Sequence, residues 1–128
     1  MSFEIELLNL SLINKENVDY DMIIFYMNYP EKIDIDTSRE IMLFLTTLIK
    51  GGAKKIIVDM KKVTLIDSAG ISTLISATKQ IRKNNGDLVL SHVNDSIQSI
   101  LDIIKIEKFI KIFHTGSDAV QYFRYIQT

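Results

Sequence analysis

Three short stretches, the continuous apolar run Met22–Met27 and the mainly apolar Ile56–Met60 and Leu88–Val93, are separated by longer stretches whose apolar residues recur at helical spacing. That alternation constrains the fold more than any other feature of the chain. A strand that is apolar at every position, as Met22–Met27 is, is covered on both faces, and strands joined through helices run parallel. Tyr29-Pro30-Glu31-Lys32 breaks the first run. Ile41, Leu45, Leu48 and Ile49 then trace one helical face, and Gly51-Gly52 ends it. Thr37 with Glu40 three residues on predicts a capping box at that helix's start.

Lys61 to Thr64 reads as a turn, and Leu65-Ile66 returns to apolar character. Asp67-Ser68-Ala69-Gly70 opens a second helix with the stripe Ile71, Leu74, Ile75, Thr78 and Ile81, stopped by Asn84-Asn85-Gly86. Asn94 or Asp95 caps a third, with Ile97, Ile100, Leu101 and Ile104 expected inward. Phe109–Phe113 reads as a short last strand, and Thr115–Ser117 starts a C-terminal helix carrying Val120, Phe123 and Ile126. Upstream, Phe3–Leu10 reads as a first strand that meets the second through the polar connection Asn14–Asp21, without a helix. That pair is expected to be antiparallel. The expected fold is α/β: a mixed, mostly parallel sheet of four to five strands with about four helices, in a single domain over residues 1–128.

Composition narrows the chemistry. Hydrophobic residues make up 47% and charged residues 24%, a balance that supports a packed core. Net charge is −1 with the signs mixed along the chain, which weighs against nucleic acid as a partner. Lys54, Lys55, Lys61 and Lys62 flank one apolar run and are expected to keep its ends solvated. There is no cysteine, and His92 and His114 stand in no ligand-spaced motif, so neither a metal nor an organic cofactor is expected. The first ten residues lack the pattern of a signal peptide, and no apolar run approaches the ~18 residues that span a bilayer. The cytoplasm is the expected location, with no membrane partner.

Asp67-Ser68-Ala69-Gly70 is the segment most suggestive of function. It lies where a buried strand region hands over to a helix N-terminus, whose free N–H groups and positive dipole end suit a phosphate. Serine and aspartate are also the commonest helix caps, so the four residues alone favour a purely structural role. The longer stretch Val58-Asp59-Met60-Lys61-Lys62-Val63-Thr64-Leu65-Ile66-Asp67-Ser68-Ala69-Gly70-Ile71 resembles the signature of the STAS domain, and most closely that of the bacterial anti-sigma factor antagonists. The order of elements matches as well.

This resemblance implies a binding regulator rather than an enzyme. Ser68 would be the phosphoacceptor, with Asp34, Asp67, Ala69, Gly70 and Ile71 in the switch loop that meets the partner. The unphosphorylated form would bind an anti-sigma factor with serine kinase activity and so free the sigma factor. Phosphorylation would end binding, and a PP2C-type phosphatase would reset the cycle. Gly70 is expected to admit the partner's close approach. Family members usually carry Gly-Glu-(Leu or Ile)-Asp after the second strand. Here the stretch is Pro30-Glu31-Lys32-Ile33-Asp34, in which Asp34 matches the final aspartate, the glycine is absent and Lys32 interrupts the spacing.

Other readings fit the residues less well. A serine hydrolase would need a base for Ser68, for which only His92 and His114 are available, and the G-x-S-x-G elbow is missing. An aspartyl-phosphate receiver would need an acidic cluster after an early strand, where only Glu31 and Asp34 occur. A STAS scaffold or transport-accessory subunit, with Ser68 acting only as a cap, is the main alternative.

Overall fold

In the computed structural model, which describes residues 4–9 and 23–125, a five-stranded sheet carries helices on both faces. Strand β1 (Glu4–Asn9) runs antiparallel to β2 (Ile23–Asn28), pairing Glu4 with Asn28 and Asn9 with Ile23. After a two-residue strand β3 (Lys32–Ile33) comes helix α1 (Ile35–Lys50), then β4 (Lys55–Asp59), the two-residue β5 (Leu65–Ile66) and helix α2 (Ser68–Lys83). Strand β6 (Asp87–Ser91), helix α3 (Asp95–Ile103), a 3-10 turn at Ile106–Lys108, β7 (Ile112–Phe113) and helix α4 (Gly116–Tyr125) complete the order. The main sheet is ordered β1-β2-β4-β6-β7, with every pair after the first parallel. Phe3, Leu10, the connection Asn14–Asp21, Met22 and Ile126 lie outside the described residues.

Alternation along the strands divides the core. Phe25, Met27, Ile56, Val58, Leu88 and Leu90 face α1, α2 and α3, while Ile24, Ile57 and Val89 face Ala119 and Phe123 of α4. Each of these side chains larger than alanine, once buried, is worth about 1.5–3 kcal/mol in transfer free energy. Every residue of β4 and of β6 is buried, as expected of central parallel strands. Lys55 belongs to that buried set, contrary to its expected role as a solvated flank, because β4 starts one residue earlier than its apolar run.

Two helix ends also differ from expectation. Helix α1 starts nearer the N-terminus, and its box joins Asp34 to Thr37 rather than Thr37 to Glu40. Asp34 Oδ1 accepts from the Thr37 N–H at 3.0 Å, and the Asp34 N–H donates to Thr37 Oγ1 at 2.9 Å. In α3, Asn94 is the cap, accepting from Ile97 N–H at 3.0 Å, and only Ile97 and Leu101 are buried. Ile100 and Ile104 are exposed, because Lys105 turns left-handed at φ 56° and the chain supplies Ile106 and Ile110 to the core instead.

Candidate functional site

The short strands β3 and β5 form a parallel two-stranded sheet of their own, pairing Lys32 with Leu65 and Ile33 with Ile66. Glu31 carbonyl accepts from Thr64 N–H at 2.8 Å, and Ile33 carbonyl accepts from Asp67 N–H at 3.1 Å. Each strand hands directly to a helix, so this register sets the starts of α1 and α2 side by side. Asp34 and Asp67 cap them in nearly the same conformation, φ −104° and ψ −172° against φ −104° and ψ −176°. Asp34 also accepts from Asp36 N–H at 3.1 Å. The Thr37 N–H, then its hydroxyl, hold the Asp34 carboxyl below its ordinary pKa. Asp67 Oδ1 accepts from Gly70 N–H at 3.0 Å.

Ser68 is therefore the first residue of α2 rather than its cap, and its side chain is exposed. The equivalent place on α1 is held by Ile35, 57% exposed. Leu65 is exposed beside it on β5. Ala69 is half-buried, and Ile71 packs partly against the core. Gly70 corrects an expectation, because it faces inward rather than toward a partner. A Cβ there would stand 2.6 Å from Ile33 Cγ2, 2.8 Å from Ile66 Cγ1 and 3.0 Å from the Ile33 carbonyl oxygen. Its lack of a side chain lets α2 close onto the β3–β5 pair. Asn94 ties a further element to this edge, its Nδ2 donating to Val63 carbonyl at 2.6 Å while its Oδ1 caps α3.

The STAS domain family matches residues 14–119. The chain belongs to the STAS domain family. A Thermotoga maritima protein named as a candidate anti-sigma factor antagonist is 26% identical over 73 residues, covering 57% of this chain and 65% of that relative, a little under two thirds of its length. A crystal structure of a Thermotoga maritima protein with the same naming superposes with TM-score 0.74 at 21% identity, covering 79% of this chain and 87% of that one. The anti-sigma factor antagonist SpoIIAA in its unphosphorylated form superposes with TM-score 0.68 at 14% identity, covering 96% and 98%. A murine solute carrier anion transporter contains a similar fold in part of its length, with TM-score 0.63 at 17% identity over 80% of this chain and 18% of the transporter. At these identities the solved structures show a shared fold.

Within this STAS domain, the altered stretch Pro30–Asp34 keeps the structural essentials of a strand and cap. Ile33 is fully buried, Lys32 stays exposed, and Asp34 closes the helix start. A second polar constellation lies on the α4 face and was not evident from motif spacing. Asp59, 2% exposed, accepts from Tyr26 Oη at 2.5 Å and from Lys61 N–H at 2.9 Å. His92 Nε2 stands 3.9 Å from the same carboxylate and accepts from Gly116 N–H at 3.0 Å. Period-two alternation from Ile57 to Asp59 was the available signal. Among the described residues, no group of histidine, aspartate or glutamate side chains is arranged to hold a metal ion, and no helix is long and apolar enough to cross a membrane.

Proposed function

We propose that this protein, as a single STAS domain, is a phosphorylation-switched binding regulator. Its unphosphorylated form binds an anti-sigma factor with serine kinase activity in the cytoplasm and so releases the sigma factor. Phosphorylation of Ser68 ends that binding, and a PP2C-type phosphatase restores it. The observation that carries this reading is the division of labour at the start of α2: Asp67 makes the capping bond, which leaves the neighbouring Ser68 hydroxyl exposed and unneeded for the helix. Family membership and the relative's name support the choice of partner. Ile35, first in α1 as Ser68 is in α2, and Leu65 on β5 offer exposed apolar contact area.

The physics of the switch follows from charge. A phosphoserine adds roughly −1.5 to −2 charges at neutral pH. Here it would join Asp67 and Asp34 on a surface that must lose water when a partner docks. The dipole of α2 offsets this by about 0.3–1 kcal/mol, enough to keep the helix start intact. Like-charge juxtaposition in an interface costs several kcal/mol. The domain should therefore tolerate the phosphate while the complex should not. Incubation with the cognate kinase and ATP, read by mass spectrometry, should place one phosphate on Ser68 and none on Ser68→Ala. Calorimetry should show Ser68→Asp binding at least tenfold more weakly than wild type. Phosphate on another residue or on none, with Ser68→Asp binding as tightly as wild type, would favour a scaffold or transport-accessory role, in which the serine has no switching part.

A further inference from the structure

In the first turn of α4, Thr115 Oγ1 accepts from Asp118 N–H at 3.0 Å, and one further hydrogen bond has an acceptor that can titrate. Gly116 N–H donates to His92 Nε2 at 3.0 Å, so this nitrogen carries the lone pair and the ring proton sits on Nδ1. His92 is itself set by a left-handed backbone, φ 54°, directly after β6. Gly116 is buried against β2, where a Cβ would meet Tyr26 Oη. Below the ring lies the buried Asp59, whose Oδ2 stands 3.9 Å from the same Nε2. A proton arriving at Nε2 turns the acceptor into a donor that faces another N–H.

We propose that His92 is a proton-operated latch for α4. Neutral, it pins Gly116 and closes the first turn of α4 over the sheet. Protonated, it gives up Gly116 and turns its Nε2–H to Asp59. Imidazole is the side chain whose charge ordinarily changes between about pH 5 and 8. The groups around the ring bear on both states. Asp59 from the end of β4 attracts the imidazolium, and Lys61, 3.9 Å from the same carboxylate, competes for it. Tyr26 from β2 already donates to Asp59 Oδ2. On the α4 side stand the Gly116 N–H and, in the first turn, the exposed Asp118, with the exposed His114 on the connection before it. Release is local, because Ala119 and Phe123 hold the rest of α4 on Ile24, Ile57 and Val89.

The test is nuclear magnetic resonance on the intact protein. At pH 8 the His92 ring nitrogens should show the Nδ1–H tautomer. Hydrogen exchange at Gly116, corrected for its intrinsic pH dependence, should lose about tenfold in protection by pH 5.5, the scale of one lost hydrogen bond. The midpoint should coincide with the titration of the His92 ring. His92→Asn, a residue that tolerates the left-handed backbone, should show low protection at both pH values. A proton on Nε2 at pH 8, Gly116 protection that stays constant through the His92 titration, or the same pH-dependent loss in His92→Asn would overturn the proposal.

Discussion

Ser68 and Gly70 stand two positions apart on α2, one exposed and one buried against Ile33 and Ile66. A side chain at position 70 would press on backbone as well as on side chains, and the Ile33 carbonyl cannot rotate away. Gly70→Val should therefore lose about 1–3 kcal/mol of stability, the usual cost of overpacking, seen as a lower urea midpoint. Ser68→Ala should leave that midpoint within about 0.5 kcal/mol of wild type, as exposed sites do. Ile35 and Leu65 present exposed apolar surface outside the buried core. On the proposed function, exchanging either for aspartate should weaken anti-sigma factor binding in calorimetry while changing the melting temperature little. At this scale the sequence marked Asp67 and Ser68 correctly as a helix start. It did not reveal that Gly70 faces inward, because the partner strand β3 is too short to announce itself.

The secondary-structure elements were legible wherever they repeat. The apolar runs of β2, β4 and β6 and the stripes of α1 and α2 were readable because their spacing persists over several turns or across a whole strand. Strands β3 and β5 were not, since two residues carry no period and their pairing comes from the Glu31 and Ile33 carbonyls. The start of α1 was misplaced because Thr37 fits both ends of a capping box, as cap residue or as third residue. Helix α4 provides the sharpest test of element packing. Phe123 is fully buried in the smaller core cluster, and Phe123→Ala should cost about 3–5 kcal/mol. Tyr26→Phe removes the nearest donor from the buried Asp59 and should cost about 1–3 kcal/mol. Gly116→Ala should also destabilise, because its methyl group would collide with Tyr26 Oη. In a denaturant double-mutant cycle the pair should lose less than the sum of the two, since Tyr26→Phe deletes the oxygen that Gly116→Ala would strike.

For the whole molecule, stability should fall at both ends of the pH scale through different groups. Asp34 has a folded pKa below its ordinary value of 3.8, so its contribution is complete above that value and disappears as pH falls through the lower folded one. Asp34→Asn should flatten the acid limb below about pH 4. Tyr122 is pushed up to about 12, first by desolvation and then by donating to Asp87 at 2.9 Å. Its contribution is complete below 10 and is lost as pH rises toward 12, so Tyr122→Phe should flatten the alkaline limb in pH-dependent denaturation. Burial pushes Tyr29 up as well, and its share of that limb should remain in the variant. The paired caps carry a consequence of another kind. Asp34 and Asp67 come from distant parts of the chain, and the register of β3 with β5 makes them neighbours only after folding. On the switch reading, a kinase that senses both is blind to a nascent or damaged copy, and the phosphate doubles as a certificate of foldedness. A synthetic peptide of residues 60–76 holds the serine without its second aspartate, and should be a far poorer substrate than the intact domain.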